Sequence, residues 1–181
     1  MNLIRPIAVA ALGFALLAPA FSAQDRPLSP RARTRLERAV RHELVMLPNY
    51  GVFDNFAFKV DGFTVTLLGQ VSRPTLKTDA ERVVKDIEGV EKVVNNIEVL
   101  PNSSSDDAIR LATFRAVYGH SSLNRYALQA VPPIHIVVKS GRVTLEGVVA
   151  SENDRNVANI QANGVSGVFS VTNNLRVENS K

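Results

Sequence analysis

Near neutral pH, the side chains best able to do chemistry in this chain are three histidines, His42, His120 and His135; there is no cysteine. Lacking cysteine, it can form no disulfide, thiolate metal site, cysteine nucleophile or lipid-modified N-terminal cysteine. No two histidines have a ligand-like spacing on one element, so no metal site is expected. His120 and Ser121 set a base beside a hydroxyl, but "YGHSSL" lacks the second glycine of a nucleophile elbow and no strand leads into it. That segment reads as a solvated loop. Asp79, Glu81, Asp86 and Glu88 are interleaved with Arg82 and Lys85, the pattern of a solvated helix face with i,i+4 pairs and not of an acid/base dyad. No catalytic residue and no cofactor is implied.

Arginine is the residue type with a spacing to argue from. Between Arg31 and Arg41 there are five arginines and one glutamate. Arg31, Arg35 and Arg38, with His42, recur at i, i+4, i+7 and i+11 and form a basic strip beside an apolar stripe. Anionic lipid headgroups near such a strip would contribute about 1 kcal/mol per arginine. A second candidate lies on the later half of the chain: Arg110, Phe114, Arg115 and Tyr118, followed by Arg125 and Tyr126. Arginine with aromatic residues suits both membrane and protein interfaces. The competing reading places Phe114 and Tyr118 in a core.

The elements that hold these residues follow from periodicity. Leu36, Val40, Leu44 and Leu47 mark one apolar stripe of an amphipathic helix that ends before Pro48. Phe56, Phe58 and Val60, then Phe63, Val65 and Leu67, alternate on either side of Asp61-Gly62, predicting a hairpin closed after Gly69. A helix follows, with Pro74 near its start, Leu76, Ala80, Val83, Val84 and Ile87 on one side, and Gly89 past its end. Val93 to Val99 reads as a third strand, parallel to the second. The second half repeats this order, with Asp106 and Asp107 at a helix start and a longer connection, "HSSLNRYALQAVPP", holding a short helix started by Ser121 or Ser122. A hairpin around Ser140-Gly141 sets His135 across from Glu146 as a cross-strand charge pair, worth about 0.2–1 kcal/mol. The last helix has a capping box at Ser151 and Asp154 but four asparagines, and is expected to be shorter or frayed near Gly164.

The repetition is literal. At an offset of 78, Val65, Thr66, Leu67, Gly69 and Val71 fall on Val143, Thr144, Leu145, Gly147 and Val149, and "GVEKVVNNIEV" from Gly89 falls on "GVFSVTNNLRV" from Gly167. There are 12 identities in the 35 positions from Val65 to Val99, so the chain carries a duplicated module. The repeated Asn95 and Asn173 sit on the apolar side of their strands, where a buried amide must find partners; a structural clamp is the reading. At the N-terminus a basic head, eleven apolar residues from Ile7 to Leu17 and small-residue sites read as a secretory leader. The run is too short for a membrane span, which takes about 20 residues. The formal net charge of +4 is too mild for a nucleic-acid-binding domain. The expected organisation is a leader at 1–23, a linker at 24–30, one module at 31–100, a linker at 101–105 and a second module at 106–178. Modules this small bury a limited core, so contact between them is expected.

The glycine-turn hairpin, the helix and the "GV..V.N.I.V" strand, present twice, resemble the BON domain, the bacterial OsmY and nodulation module. The resemblance implies an α+β fold of two αββαβ modules, each a three-stranded mixed sheet covered on one face by two helices. It further implies a non-enzymatic, exported protein of the periplasm or cell envelope, peripheral to a membrane. Its partners would be anionic phospholipid surfaces or, alternatively, exported envelope proteins gripped by an adaptor or chaperone-like face.

Overall fold

The computed structural model describes residues 28–178; the leader and most of the first linker lie outside these residues. The first module runs α1 (Pro30–Val45), β1 (Asn55–Asp61), β2 (Thr64–Val71), α2 (Pro74–Lys85), β3 (Lys92–Asn95) and β4 (Glu98–Val99). The second runs α3 (Ser104–Tyr118), a 3-10 turn (Asn124–Leu128), β5 (Ile134–Lys139), β6 (Arg142–Val149), α4 (Glu152–Asn163), β7 (Ser170–Asn173) and β8 (Arg176–Val177). In each module the central strand pairs antiparallel with the strand before it and parallel with the two short strands after the helix. The α+β fold of two αββαβ modules is therefore present, with the third strand of each broken at its paired asparagines.

Alternation explains which face each strand buries. Val60, Val65, Leu67 and Val71 point into one core with Leu36, Val40, Leu44 and Leu47 of the first helical segment and Leu76, Ala80 and Val84 of α2. Ile134, Ile136, Val138, Val143, Leu145 and Val149 do the same with Val117, Ala158 and Ala162. Each set is a separate core beneath two helices.

The repeated asparagine is the clamp. Asn95 Nδ2 donates to the Lys77 carbonyl at 2.9 Å while its Oδ1 accepts from the Ile97 N–H at 3.2 Å. Asn173 donates to the Arg155 carbonyl at 2.9 Å and accepts from Leu175 at 3.1 Å. The amide thus ties the helix to the strand and breaks the strand one residue later, which creates β4 and β8.

Several local expectations shift. Gly69 does not close β2 but lies inside it at φ +109°, where a Cβ would stand 2.0 Å from the Asn55 carbonyl oxygen. Gly147 repeats this at φ +125° against Pro133. Only glycine tolerates that approach, which accounts for its place in both motifs. Asp61 pairs with Thr64, so the first turn is Gly62-Phe63 and Phe63 leaves the strand. Helix α3 starts at Ser104, inside the expected linker, because the Ser103 hydroxyl accepts from the Asp106 N–H. The 3-10 turn is not started by a serine: its N-cap is Leu123, and the Ser122 hydroxyl faces His120 Nδ1 at 2.8 Å instead. Helix α4 is no shorter than α2, since Ser151 caps it and Ala158 and Ala162 bury its last turns.

The modules touch through residues that the repeat does not share. Asp54, buried, accepts from Gly51 N–H, Ser72 N–H and the Ser72 hydroxyl, holding the loop ahead of β1. That loop docks on the second module. Tyr50 stacks on His135 with ring centroids 5.5 Å apart, Phe53 meets the edge of Phe114, and Lys139 is paired with Glu98.

Candidate functional site

A helix advances about 100° per residue, so Arg31, Arg35, Arg38 and His42 share one line along α1. The same geometry sets this line opposite the stripe of Leu36, Val40 and Leu44, not beside it. The packing of that stripe against the sheet therefore turns the basic strip outward. All four side chains are exposed, and none takes part in an ion pair among the described residues. The other two arginines of α1 are engaged: Arg33 pairs with Glu37, and Arg41 lies 5.8 Å over the Phe58 ring. The strip continues into Val45 and Met46, exposed by 44% and 67%. Sequence reading passed over this apolar end because both residues fall outside the stripe used to define the helix.

The second candidate cluster is largely absorbed by the fold. Arg110 is only 5% exposed; its Nη2 donates to the Val138 carbonyl at 2.8 Å and Nη1 pairs with Asp107. Tyr118 is buried, its hydroxyl donating to the Ile134 carbonyl at 2.6 Å and accepting from the Ile134 N–H at 3.1 Å. Burial pushes its ionisation well above the usual phenol range. Phe114 is half-buried between Phe53 and Tyr118. Tyr126 is buried as well, donating to Asp154 and accepting from the Ala150 N–H. Arg125 is exposed but paired with Asp154 and stacked on Tyr126 at 5.0 Å. Burial alone would raise the Asp154 carboxyl; hydrogen bonds from Ser151 and Tyr126 and the Arg125 guanidinium outweigh it and hold the group below its ordinary value. Arg115 alone of this set is exposed with no ion pair among the described residues. Arg31, Arg35 and Arg38 stand together, then, while the six residues of the second copy do not form one surface.

His135 occupies the expected register opposite Glu146, but the charge pair does not form. Glu146 instead accepts from Asn174 Nδ2 at 2.7 Å, and His135 Nε2 lies 3.4 Å from the Tyr50 hydroxyl. Burial lowers the His135 ionisation, and the nearby Gly51 and Asp54 carbonyls and the Asp54 and Glu146 carboxylates only partly offset this. Burial likewise pushes the Tyr50 phenol up to about 12, with Asp54 adding to it. Both rings are thus neutral at pH 7. On α2, Asp79 pairs with Arg82 and Glu81 with Lys85, as the spacing implies.

The module junction also frames a cavity of about 680 Å3. Its floor is the run Asn55 to Val60, one wall is α1, and the other wall comes from the second module, including Pro133, His135 and Arg176. Among the described residues there is no cluster of three or more side chains able to hold a metal ion, and no helix is long and apolar enough to cross a membrane.

A family model of the BON domain matches residues 32–101 and 120–179. The second match begins after α3, at the lengthened connection that sets the two copies apart. Solved structures similar to this chain include the C-terminal domain of CdsD, a structural protein of the type III secretion system of Chlamydia trachomatis. It is 13% identical, with 78% of this chain and 96% of that chain covered and a TM-score of 0.28. A second CdsD structure from that organism is 14% identical, covering 78% of this chain and 91% of its own, with a TM-score of 0.29. Likeness at this level carries no argument about function. Comparison with curated proteins gave no match.

Proposed function

The chain belongs to the BON domain family, in two copies, and on that premise we propose that it is a non-enzymatic binding protein of the bacterial cell envelope. It works in the periplasm, peripheral to a membrane, and associates with anionic phospholipid through α1 of its first module. The observation that carries this reading is the line of Arg31, Arg35, Arg38 and His42, exposed, free of ion pairs among the described residues, and directed away from the core. Three arginines at a headgroup surface contribute about 1 kcal/mol each. Val45 and Met46 at the end of the same line supply a small apolar contact for the headgroup–acyl boundary. The attraction is of the kind that salt screens over about 8 Å at physiological ionic strength.

Co-sedimentation of the chain from Gln24 onward with vesicles tests the reading. Vesicles containing anionic lipid should carry the protein down at low salt and release it at high salt, while neutral vesicles should not bind it. Absence of binding to anionic vesicles at any salt concentration would overturn it.

A further inference from the structure

The two hairpins are equivalent in register but not in how their outer edges end. Each is closed by a two-residue turn, between Asp61 and Thr64 in one and between Lys139 and Arg142 in the other. In an antiparallel pair, alternate residues exchange both backbone hydrogen bonds, and those between them turn N–H and C=O to the opposite side. The residues facing away from the sheet are therefore Phe56, Phe58 and Val60 on β1, and their counterparts Ile134, Ile136 and Val138 on β5.

On β5 each of the three has at least one outward backbone group engaged. The Tyr118 hydroxyl takes both backbone groups of Ile134, the Val52 carbonyl accepts from the Ile136 N–H at 2.7 Å, and Arg110 donates to the Val138 carbonyl. On β1 the Phe56 backbone meets the Tyr50 phenol, and Phe58 and Val60 have no outward backbone partner among the described residues. An open strand edge is a template for another strand, and proteins commonly cover or blunt it. Here the edge of one copy is engaged along its length, and that of the other is open at Phe58 and Val60.

The open edge is also fenced. It forms the floor of the 680 Å3 cavity, between α1 on one side and Pro133 and His135 on the other. A paired strand lies about 4.8 Å from its neighbour, and walls on both sides of the edge favour a single extended segment over the edge of a second folded copy. Charge narrows the choice further. Arg33 is neutralised by Glu37, but Arg41, Lys59 and Arg176 line the cavity without an ion pair among the described residues, against one carboxylate, Glu146.

We propose that the edge of β1 is a strand-addition site, which takes an extended, acidic peptide segment of a partner protein between α1 and the second module. The segment pairs its backbone with Phe58 and Val60, and its carboxylates meet Arg41, Lys59 and Arg176. Main-chain pairing supplies affinity in this mode and the surrounding side chains supply selectivity. The site borders the apolar end of the α1 strip at Val45, but Arg31, Arg35 and Arg38 do not line it.

Hydrogen exchange read by NMR on the chain from Gln24 onward tests the proposal, with an end-blocked heptapeptide of alternating glutamate and valine as the probe. Saturating peptide should slow exchange of the Phe58 and Val60 amides at least tenfold and leave the already covered Ile136 amide unchanged. The same peptide N-methylated at every residue should bind at least tenfold more weakly. Lys59→Glu with Arg176→Glu should weaken the acidic peptide by a similar factor, and a lysine-for-glutamate peptide should recover binding to that variant. Binding without slowing at Phe58 and Val60, equal binding of the N-methylated peptide, or no binding at millimolar peptide would each overturn it. Protection of Phe58 that rises with protein concentration in the absence of peptide would make a second copy the occupant and overturn the choice of partner.

Discussion

The Val52 carbonyl accepts a hydrogen bond from the Ile136 N–H at 2.7 Å, so the loop ahead of the first hairpin closes the edge of the second. The two copies are therefore not interchangeable beads. One provides the covering loop, and the other is covered by it. That loop is set by the buried Asp54, whose position in the second copy is taken by Pro132.

Asp54→Ala should loosen the junction. It leaves the N–H groups of Gly51 and Ser72 without their acceptor, and hydrogen bonds to a charged group are worth about 1.5–3 kcal/mol. Urea unfolding should show a loss of roughly 3 kcal/mol, and small-angle scattering should show a larger radius of gyration. An unchanged radius would mean that the loop is not what holds the modules together.

Asn95→Ala and Asn173→Ala should each lower stability by about 1–2 kcal/mol, because each strands a helix carbonyl and a strand-end N–H. The two sites share no partner, so the double variant should show close to the sum. Denaturant titration checks both statements, and a loss confined to one copy would contradict the equivalence of the clamps.

Acid should weaken the junction. The His135 ionisation is lowered in the folded state from its ordinary 6.5 by burial, which the facing Asp54 and Glu146 carboxylates and the Gly51 and Asp54 carbonyls offset only in part. The unfolded chain thus takes up a proton that the folded chain resists, and stability falls as the pH drops below about 6.5. Unfolding midpoints at pH 7.5 and 5.5 should differ accordingly, and His135→Gln should flatten the difference. A midpoint that rises on acidification would contradict the direction.

Tyr118→Phe should cost about 1–2 kcal/mol, since it removes both partners of the Ile134 backbone. Arg31→Ala, at an exposed position with no ion pair among the described residues, should stay within about 0.5 kcal/mol of the parent. Thermal melts of the two variants distinguish a structural role in the second copy from a surface role in the first.

Periodicity and repetition carried the elements because side-chain alternation and the helical stripe are local properties. Leu36, Val40 and Leu44, the hairpin residues and the asparagine clamp were all legible at that level. Arg110 was not, and for Tyr118 the sequence left a core place and an interface place both open. Both turn inward to cover backbone groups of β5, a strand whose edge is visible only once the fold is assembled. His135 shows the same limit: its register opposite Glu146 follows from counting, but its real neighbour, Tyr50, comes from the other module. Contacts between copies depend on residues outside the repeat, such as Asp54 and Val52, for which the repeat offers no template.

The most direct test of the lipid reading is vesicle co-sedimentation of two charge-reversal variants against the parent chain. Arg31→Glu, Arg35→Glu and Arg38→Glu together should weaken binding to anionic vesicles by at least about a hundredfold, the loss expected for three headgroup contacts of about 1 kcal/mol each. Arg115→Glu with Arg125→Glu should change it little. Equal loss in both variants, or binding that survives reversal of the α1 strip, would contradict the assignment of the lipid-facing surface to the first module.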